Sequence, residues 1–205
     1  MKINEFDAVI FDLGGVLINL DYQLTIDAFK KLGVDEFQLT YSQSAQNSLF
    51  DDYETGKIST QHFVNKLKDQ LPAHVTPNQI VAAWNAMILD FPIEKLQFLE
   101  QIATEKRIFL LSNTNAIHIQ KVARELAKVT TKKLDDYFEI VYLSHEIGQR
   151  KPFPETFEFV CQDAGIDPSK TLFIDDSEQH ILGAQKIGLS TLHLTPAKNL
   201  VAFFE

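Results

Sequence analysis

The sequence predicts an α/β protein, a parallel sheet with helices on both faces, interrupted after its first strand by a helical insert. Three observations predict it. A short apolar run, Ala8-Val9-Ile10-Phe11, reads as a strand buried on both faces and ends in a carboxylate and two glycines, Asp12-Leu13-Gly14-Gly15. From Pro92 onward, apolar runs of strand length alternate with stretches of helical spacing, the pattern of right-handed crossovers in a parallel sheet. Between the two, residues 19–91 carry helical spacing with no convincing strand.

Asp12 directly follows the first strand and so is aimed out of its carboxyl end, where open α/β sheets place their ligands. The two glycines let other groups come close to the backbone there. Within the insert, residues 23–32 have helical spacing and stop at Gly33, a C′ glycine. Ser59 caps a helix predicted to run to Leu71, and Thr76-Pro77-Asn78-Gln79 supplies N-cap, N1 proline and N3 glutamine ahead of Ile80, Val81 and Trp84. Tyr53-Glu54-Thr55-Gly56-Lys57 reads as a turn between insert helices. Beyond Pro92, Ile93, Leu96, Leu99 and Ile102 define a helix leading to a second strand at 107–111. Asn115 caps a helix carrying Ile119, Val122 and Leu126, followed by a third strand at 139–143. A helix at 154–164 closes at Gly165, a fourth strand occupies 171–174, a helix at 178–187 stops before Gly188, and 190–194 is the fifth strand. The predicted boundaries are therefore a core of residues 1–18 and 92–205 with an insert of 19–91.

With 205 residues, 45% hydrophobic and 23% charged, the chain has the composition of a soluble globular protein able to bury a sizeable core. Its formal charge of −9 argues against nucleic acid or an anionic membrane as a partner, and means that an anionic substrate needs local positive charge. Cys161 is the only cysteine, which excludes an intrachain disulfide and a Cys-rich metal site; packing as a small hydrophobe is its expected role. No long apolar segment precedes the first strand, so neither a signal peptide nor a membrane anchor is expected, and the cytoplasm is the default location. A monomer or weak dimer is the expected state.

Four polar stations stand where strands or loops reach one sheet edge. They are Asp12, Ser112-Asn113 after the second strand, Lys151 in Arg150-Lys151-Pro152, and Asp175-Asp176 after the fourth strand. Each has a plainer role if taken alone. Asp12 could form a turn, Asn113 or Asn115 could cap a helix, Asp175 and Asp176 could sit at a solvated helix N-terminus, and a lysine is ordinarily a surface residue. Asp175 and Asp176 are also the hard oxygen donors that Mg²⁺ selects. Ser112 and the N–H groups near it could hold phosphate oxygens.

Together, and in this order, Phe11-Asp12-Leu13-Gly14-Gly15-Val16-Leu17, Leu111-Ser112-Asn113-Thr114-Asn115, Arg150-Lys151-Pro152 and Phe173-Ile174-Asp175-Asp176-Ser177 make the chain resemble the haloacid dehalogenase-like (HAD) hydrolases, in the branch with a helical cap. The resemblance covers nearly the whole chain. It implies a Rossmann-like core, an α-helical cap at 19–91, and Asp12 as the nucleophile that takes up a phosphoryl group. It further implies Mg²⁺ held by Asp12, the backbone carbonyl of Gly14 and Asp176, with Asp175 orienting the set. Ser112 and Asn113 then bind phosphate, and Lys151 offsets the charge of Asp12, Asp175 and Asp176. The expected activity is that of a Mg²⁺-dependent phosphatase acting on a small phosphorylated metabolite, a sugar phosphate being the expected class.

Two positions depart from the usual pattern of that family. Most of its phosphatases carry a second Asp two residues after the nucleophile as general acid/base, and here that position is Gly14. A missing acid/base can cost on the order of 10²–10⁴ in rate. A minority branch with an Asp-Leu-Gly motif, including bacterial glucose-1-phosphate phosphatases, is similar to this chain at that point. Asp21, Asp175 or a cap residue are candidate substitutes. His180 stands where the family often has Asp or Asn. Two other readings of the same residues are a 2-haloacid dehalogenase, which also lacks the second Asp and needs no Mg²⁺, and a non-catalytic phosphate-binding protein. Phe50, Tyr53 and Trp84 could line a substrate pocket, although aromatic residues at helical spacing are more often core. His62, His74, His118, His145 and His193 show no metal-ligand spacing.

Overall fold

In a computed structural model, residues 3–34, 48–195 and 200–202 are described; residues 35–47 of the predicted insert, and 1–2, 196–199 and 203–205, lie outside them. The apolar run at the start forms β1 (Ala8–Phe11), every residue of which is buried. It is the central strand of a parallel sheet that also contains β2 (Arg107–Ser112), β3 (Ile140–Leu143), β4 (Thr171–Asp175) and β5 (Ser190–His193), in the order β3-β2-β1-β4-β5. Alternation along the strands feeds two cores. Val9, Phe11, Ile108, Leu110, Leu172 and Ile174 face one cluster, while Ala8, Ile10, Phe109, Leu111 and Phe173 face the other. Cys161 lies in the second cluster, its thiol pushed up to about 11 by burial, and so acts as a small hydrophobe.

The register decides where the site forms. Phe11 pairs with both Leu110 and Ile174. One step further, the Asp12 N–H donates to the Ile174 carbonyl at 2.9 Å, which sets Asp12 level with Asp175 at the carboxyl edge.

Residues 19–91, the predicted insert, contain α1 (Tyr22–Lys31), α2 (Ser48–Glu54), α3 (Thr60–Lys68) and α4 (Pro77–Trp84). Ser59 caps α3 and Thr76 with Gln79 forms the capping box of α4, as the sequence predicts. The third helix stops at Lys68, short of Leu71, because Pro72 bars Leu71 from the helical region. These helices bury a cluster shared with Ile117, with Tyr53 stacked on Phe63 at 4.2 Å and Phe50 on Trp84 at 5.2 Å. Phe50, Tyr53 and Trp84 are therefore core residues.

After the insert follow α5 (Ile93–Ala103), α6 (Ala116–Leu126), α7 (Ser144–Ile147), α8 (Pro154–Ala164) and α9 (Glu178–Gln185). The third strand begins at Ile140, one residue later than predicted, although the Glu139 N–H already donates to the Ile108 carbonyl at 2.9 Å. The fourth extends to Asp175, which pairs with His193.

The start of α6 ties the insert to the sheet. Ile117 belongs to the insert's hydrophobic cluster, and His118 stacks on Trp84 at 4.8 Å. Asn115 Oδ1 accepts from the His118 N–H and from Trp84 Nε1, and Asn115 Nδ2 lies 3.2 Å from His118 Nδ1. His118 Nε2 is 3.1 Å from the Trp84 carbonyl. A carbonyl only accepts, so Nε2 carries the proton and Nδ1 accepts from the Asn115 amide. Burial pushes His118 down from 6.5 to about 4. Between those values the unfolded chain binds a proton that the native one refuses, so stability is whole above pH 6.5 and falls as the pH drops toward 4. The loss amounts to about 3 kcal/mol. Urea unfolding of wild type and His118→Gln across that range is expected to give a flatter profile for the variant.

Candidate active site

Lys151 lies at the centre of the site. A lysine is among the residues least often buried, yet this one is 0% exposed, a placement its surface reading does not anticipate. Its ammonium donates to Asp12 Oδ1 at 2.7 Å, to Asp175 Oδ2 at 2.7 Å and to the Leu111 carbonyl at 2.8 Å, which uses all three protons. Asn113 fixes the backbone beneath it. Its Oδ1 accepts from the Lys151 N–H and its Nδ2 donates to the Lys151 carbonyl, both at 2.9 Å. The Asn113 side-chain amide is therefore a clamp on Lys151. Ser112, at the end of β2, is 3% exposed and lines the cleft beside Asp12.

Asp175 is fully buried, and its oxygens are taken by Lys151, by the Ser177 N–H at 2.8 Å and by His180 Nδ1 at 3.0 Å. His180 thus keeps a contact to the aspartate pair where the family often has Asp or Asn. Asp176 is different, because its Oδ1 is buried and accepts no hydrogen bond. Ligand oxygens of Asp12, Asp175 and Asp176 all lie within 4.8 Å of one another. Gly15, at φ 72°, is pressed against this group, and a Cβ there would stand 2.2 Å from Asp176 Oδ2. Three hard oxygen donors with one orphaned oxygen fit a small divalent cation.

Three carboxyls of the cluster face one ammonium. Burial alone would raise both inner carboxyls. It leaves Asp12 raised, whereas Lys151 and His180 bring Asp175 below the usual carboxylate value. The two carboxylates overcome the effect of burial on Lys151 and hold its ammonium above its ordinary value. Asp176 is pushed up to about 7, chiefly by burial and then by the charges of Asp12 and Asp175.

The cleft above Asp12 is lined by Leu13, Gly14, Ile18, Leu20, Tyr22, Met87 and Ile88, with Thr114, His118, Val122 and His180. Glu54 and Arg150 complete it. At Gly14 a Cβ would come within 2.6 Å of Leu20 Cδ1, so Leu20 fills the space that a side chain at position 14 would enter. Neither named substitute acid replaces it. Asp21 is exposed and caps α1 by accepting from the Gln23 N–H, and Asp175 is fully committed. Among the described residues of 19–91 that line the cleft, the acidic one is Glu54. It falls in the Tyr53-Glu54-Thr55-Gly56-Lys57 segment, but its partner Arg150 is 96 positions away, and no local spacing signals the pair.

These features match a known group. A profile described as haloacid dehalogenase-like hydrolase matches residues 6–188. The chain belongs to the HAD-like hydrolases, and it is an enzyme of that family. A D-ribitol-5-phosphate phosphatase of Bacteroides thetaiotaomicron is 31% identical over 183 residues, 89% of each chain. A solved HAD family enzyme from Bacteroides thetaiotaomicron, a mutant in complex with magnesium and inorganic phosphate, superposes with a TM-score of 0.92 at 38% identity, covering 98% of this chain and 99% of that one. An L-2-haloacid dehalogenase from Xanthobacter autotrophicus shares the HAD fold at a TM-score of 0.59 and 20% identity, covering 91% of this chain and 76% of that one.

Proposed function

We propose that this HAD hydrolase is a Mg²⁺-dependent phosphomonoesterase acting on a small sugar or polyol phosphate. The observation that carries the reading is the buried Lys151 bridging Asp12 and Asp175, with the orphaned Asp176 oxygen beside them. A dehalogenase site gives that third carboxylate nothing to hold. Asp12 is the nucleophile. Its carboxylate forms a bond to phosphorus as the bond from phosphorus to the leaving oxygen breaks, and water then attacks the aspartyl-phosphate, releasing phosphate and restoring the carboxylate. Lys151 holds Asp12 in place and, with the backbone around Ser112, offsets negative charge near the phosphate. Asp12, Asp176 and the Gly14 carbonyl would hold Mg²⁺, oriented through Asp175, and the cation would supply charge neutralisation for the dianionic ester. With glycine at 14 and Leu20 in the adjoining space, no side chain there protonates the leaving oxygen, so the acidity of the leaving group governs the first step. Residues 19–91 act as the cap that limits substrates to small molecules. No helix among the described residues is long and apolar enough to cross a membrane, and we place the enzyme in the cytoplasm as a monomer or weak dimer.

The test is hydrolysis of p-nitrophenyl phosphate and a panel of sugar and polyol phosphates with Mg²⁺ and with EDTA. Turnover that EDTA abolishes and added Mg²⁺ restores is expected. Chelator-insensitive release of halide from 2-chloropropionate would instead favour the dehalogenase. The same cation is expected to raise thermal stability, by about 2.7 kcal/mol at a hundredfold excess over Kd. Differential scanning of Asp176→Asn should find most of that shift gone.

A further inference from the structure

We propose that Glu54 selects the leaving group, accepting hydrogen bonds from the hydroxyls of a neutral polyol monophosphate and repelling substrates that carry a second anionic group. The inference rests on the phosphatase reading and adds to it the residue and the charge class of the substrate.

Glu54 is the last residue of α2, is 1% exposed, and lines the same cleft as Asp12 and Ser112. It is fixed to the core from two sides. Arg150 Nη2 lies 3.5 Å from Glu54 Oε2, and Arg150 also pairs with Asp51. Arg150 immediately precedes Lys151, whose backbone Asn113 clamps, and its own carbonyl accepts from Thr156 Oγ1 at 2.8 Å. The arginine is therefore held in a set relation to the nucleophile, and it carries Glu54 with it. Two residues on, Gly56 at φ 69° abuts the core so closely that a Cβ would stand 2.2 Å from the His145 carbonyl oxygen. The end of α2 is seated against the core by that contact.

The composition of the cleft gives Glu54 its selectivity. Much of the wall away from Asp12 is apolar, being made of Ile18, Leu20, Met87, Ile88 and Val122. His118 is neutral, and both its ring nitrogens face partners of their own. Among the lining residues described, Glu54 is the one carboxylate outside the Asp12 cluster. Asp51 and Glu54 both draw on the guanidinium of Arg150. A hydroxyl donates readily to such a carboxylate. A substrate carboxylate or a second phosphate would face the like charge of Glu54 across the cleft, an arrangement that discriminates against it.

The experiment compares kcat/KM for ribitol 5-phosphate, phosphoglycolate and p-nitrophenyl phosphate in wild type, Glu54→Gln and Glu54→Asp. Glu54→Gln is expected to lower the preference for ribitol 5-phosphate over phosphoglycolate by about tenfold or more, with p-nitrophenyl phosphate, which presents no hydroxyl, as the reference that reports a folded, competent site. Glu54→Asp retains the charge but withdraws it, so phosphoglycolate should stay poor while ribitol 5-phosphate declines. An unchanged preference in a variant that still hydrolyses p-nitrophenyl phosphate overturns the proposal. Should Glu54→Gln lose that reference activity through misfolding, the same ratio in Glu54→Asp decides. Failure of the phosphatase reading looks different, since the wild type would then turn over none of the three esters.

Discussion

Asp12→Asn is expected to lower phosphatase turnover by on the order of 10⁴-fold or more, the scale on which removing a covalent nucleophile acts. The amide still accepts a hydrogen bond from the Lys151 ammonium, so the local geometry survives, but it cannot form the acyl phosphate. The same substitution should not destabilise the metal-free protein. Asp12 is raised above its ordinary value by burial and by the charge of Asp175, so its ionised form costs native stability at neutral pH, and a neutral amide removes that cost. Metal-free Asp12→Asn is therefore expected to melt at or above the wild-type temperature. With Mg²⁺ the order reverses, because one of three clustered carboxylates has gone. Calorimetry with and without the cation, beside the activity assay, separates a lost nucleophile from a lost fold. Wild-type turnover in the variant would remove Asp12 from the chemistry.

The parts of this architecture that were legible in the sequence are those whose causes are local. β1 is a run of four apolar residues bounded by turn formers, and its limits follow from the run itself. The caps at Ser59, Thr76 and Asn115 announce themselves within three residues of the helix they start. The family motifs are likewise contiguous, and each places its residue, Asp12, Ser112, Lys151, Asp175 or Asp176, at the end of a strand or in a loop of one sheet edge. What stayed hidden depends on partners far apart in the chain. Lys151 meets Asp12 across 139 positions, and His118 meets Trp84 across 34. The reading of Asn113 as a phosphate ligand missed its clamp on Lys151, 38 residues away. Composition marks lysine and histidine as surface residues on average, and only the assembled sheet edge shows which are enclosed. Leu20 beside Gly14 belongs to the same class, since a glycine's missing side chain says nothing about what fills the space.

Lys151→Met should be the most destabilising change at the site, and its pH dependence gives the cause. Methionine occupies a similar volume without the ammonium, so Asp12 and Asp175 remain in a buried site facing each other with no cation between them. Breaking a buried ion pair on one side costs about 3–5 kcal/mol, or roughly 10 °C in Tm for a chain of this size. In the wild type Lys151 offsets the burial of Asp175 and keeps it below its ordinary value of 3.8, so that support is present at neutral pH and lost only as the pH falls through the depressed value. In the variant both carboxyls rise and take up protons earlier. The deficit relative to wild type is therefore largest near neutral pH and narrows as the pH drops toward 4. A cavity or packing defect would give a deficit indifferent to pH. Mg²⁺ should recover part of the lost stability by supplying positive charge at the same carboxylates, while turnover stays low because the group that holds Asp12 is gone. Urea unfolding of both proteins from pH 4 to 7.5, with and without the cation, distinguishes these outcomes, and a gap constant across that range would show that the ammonium matters for its bulk and not for its charge.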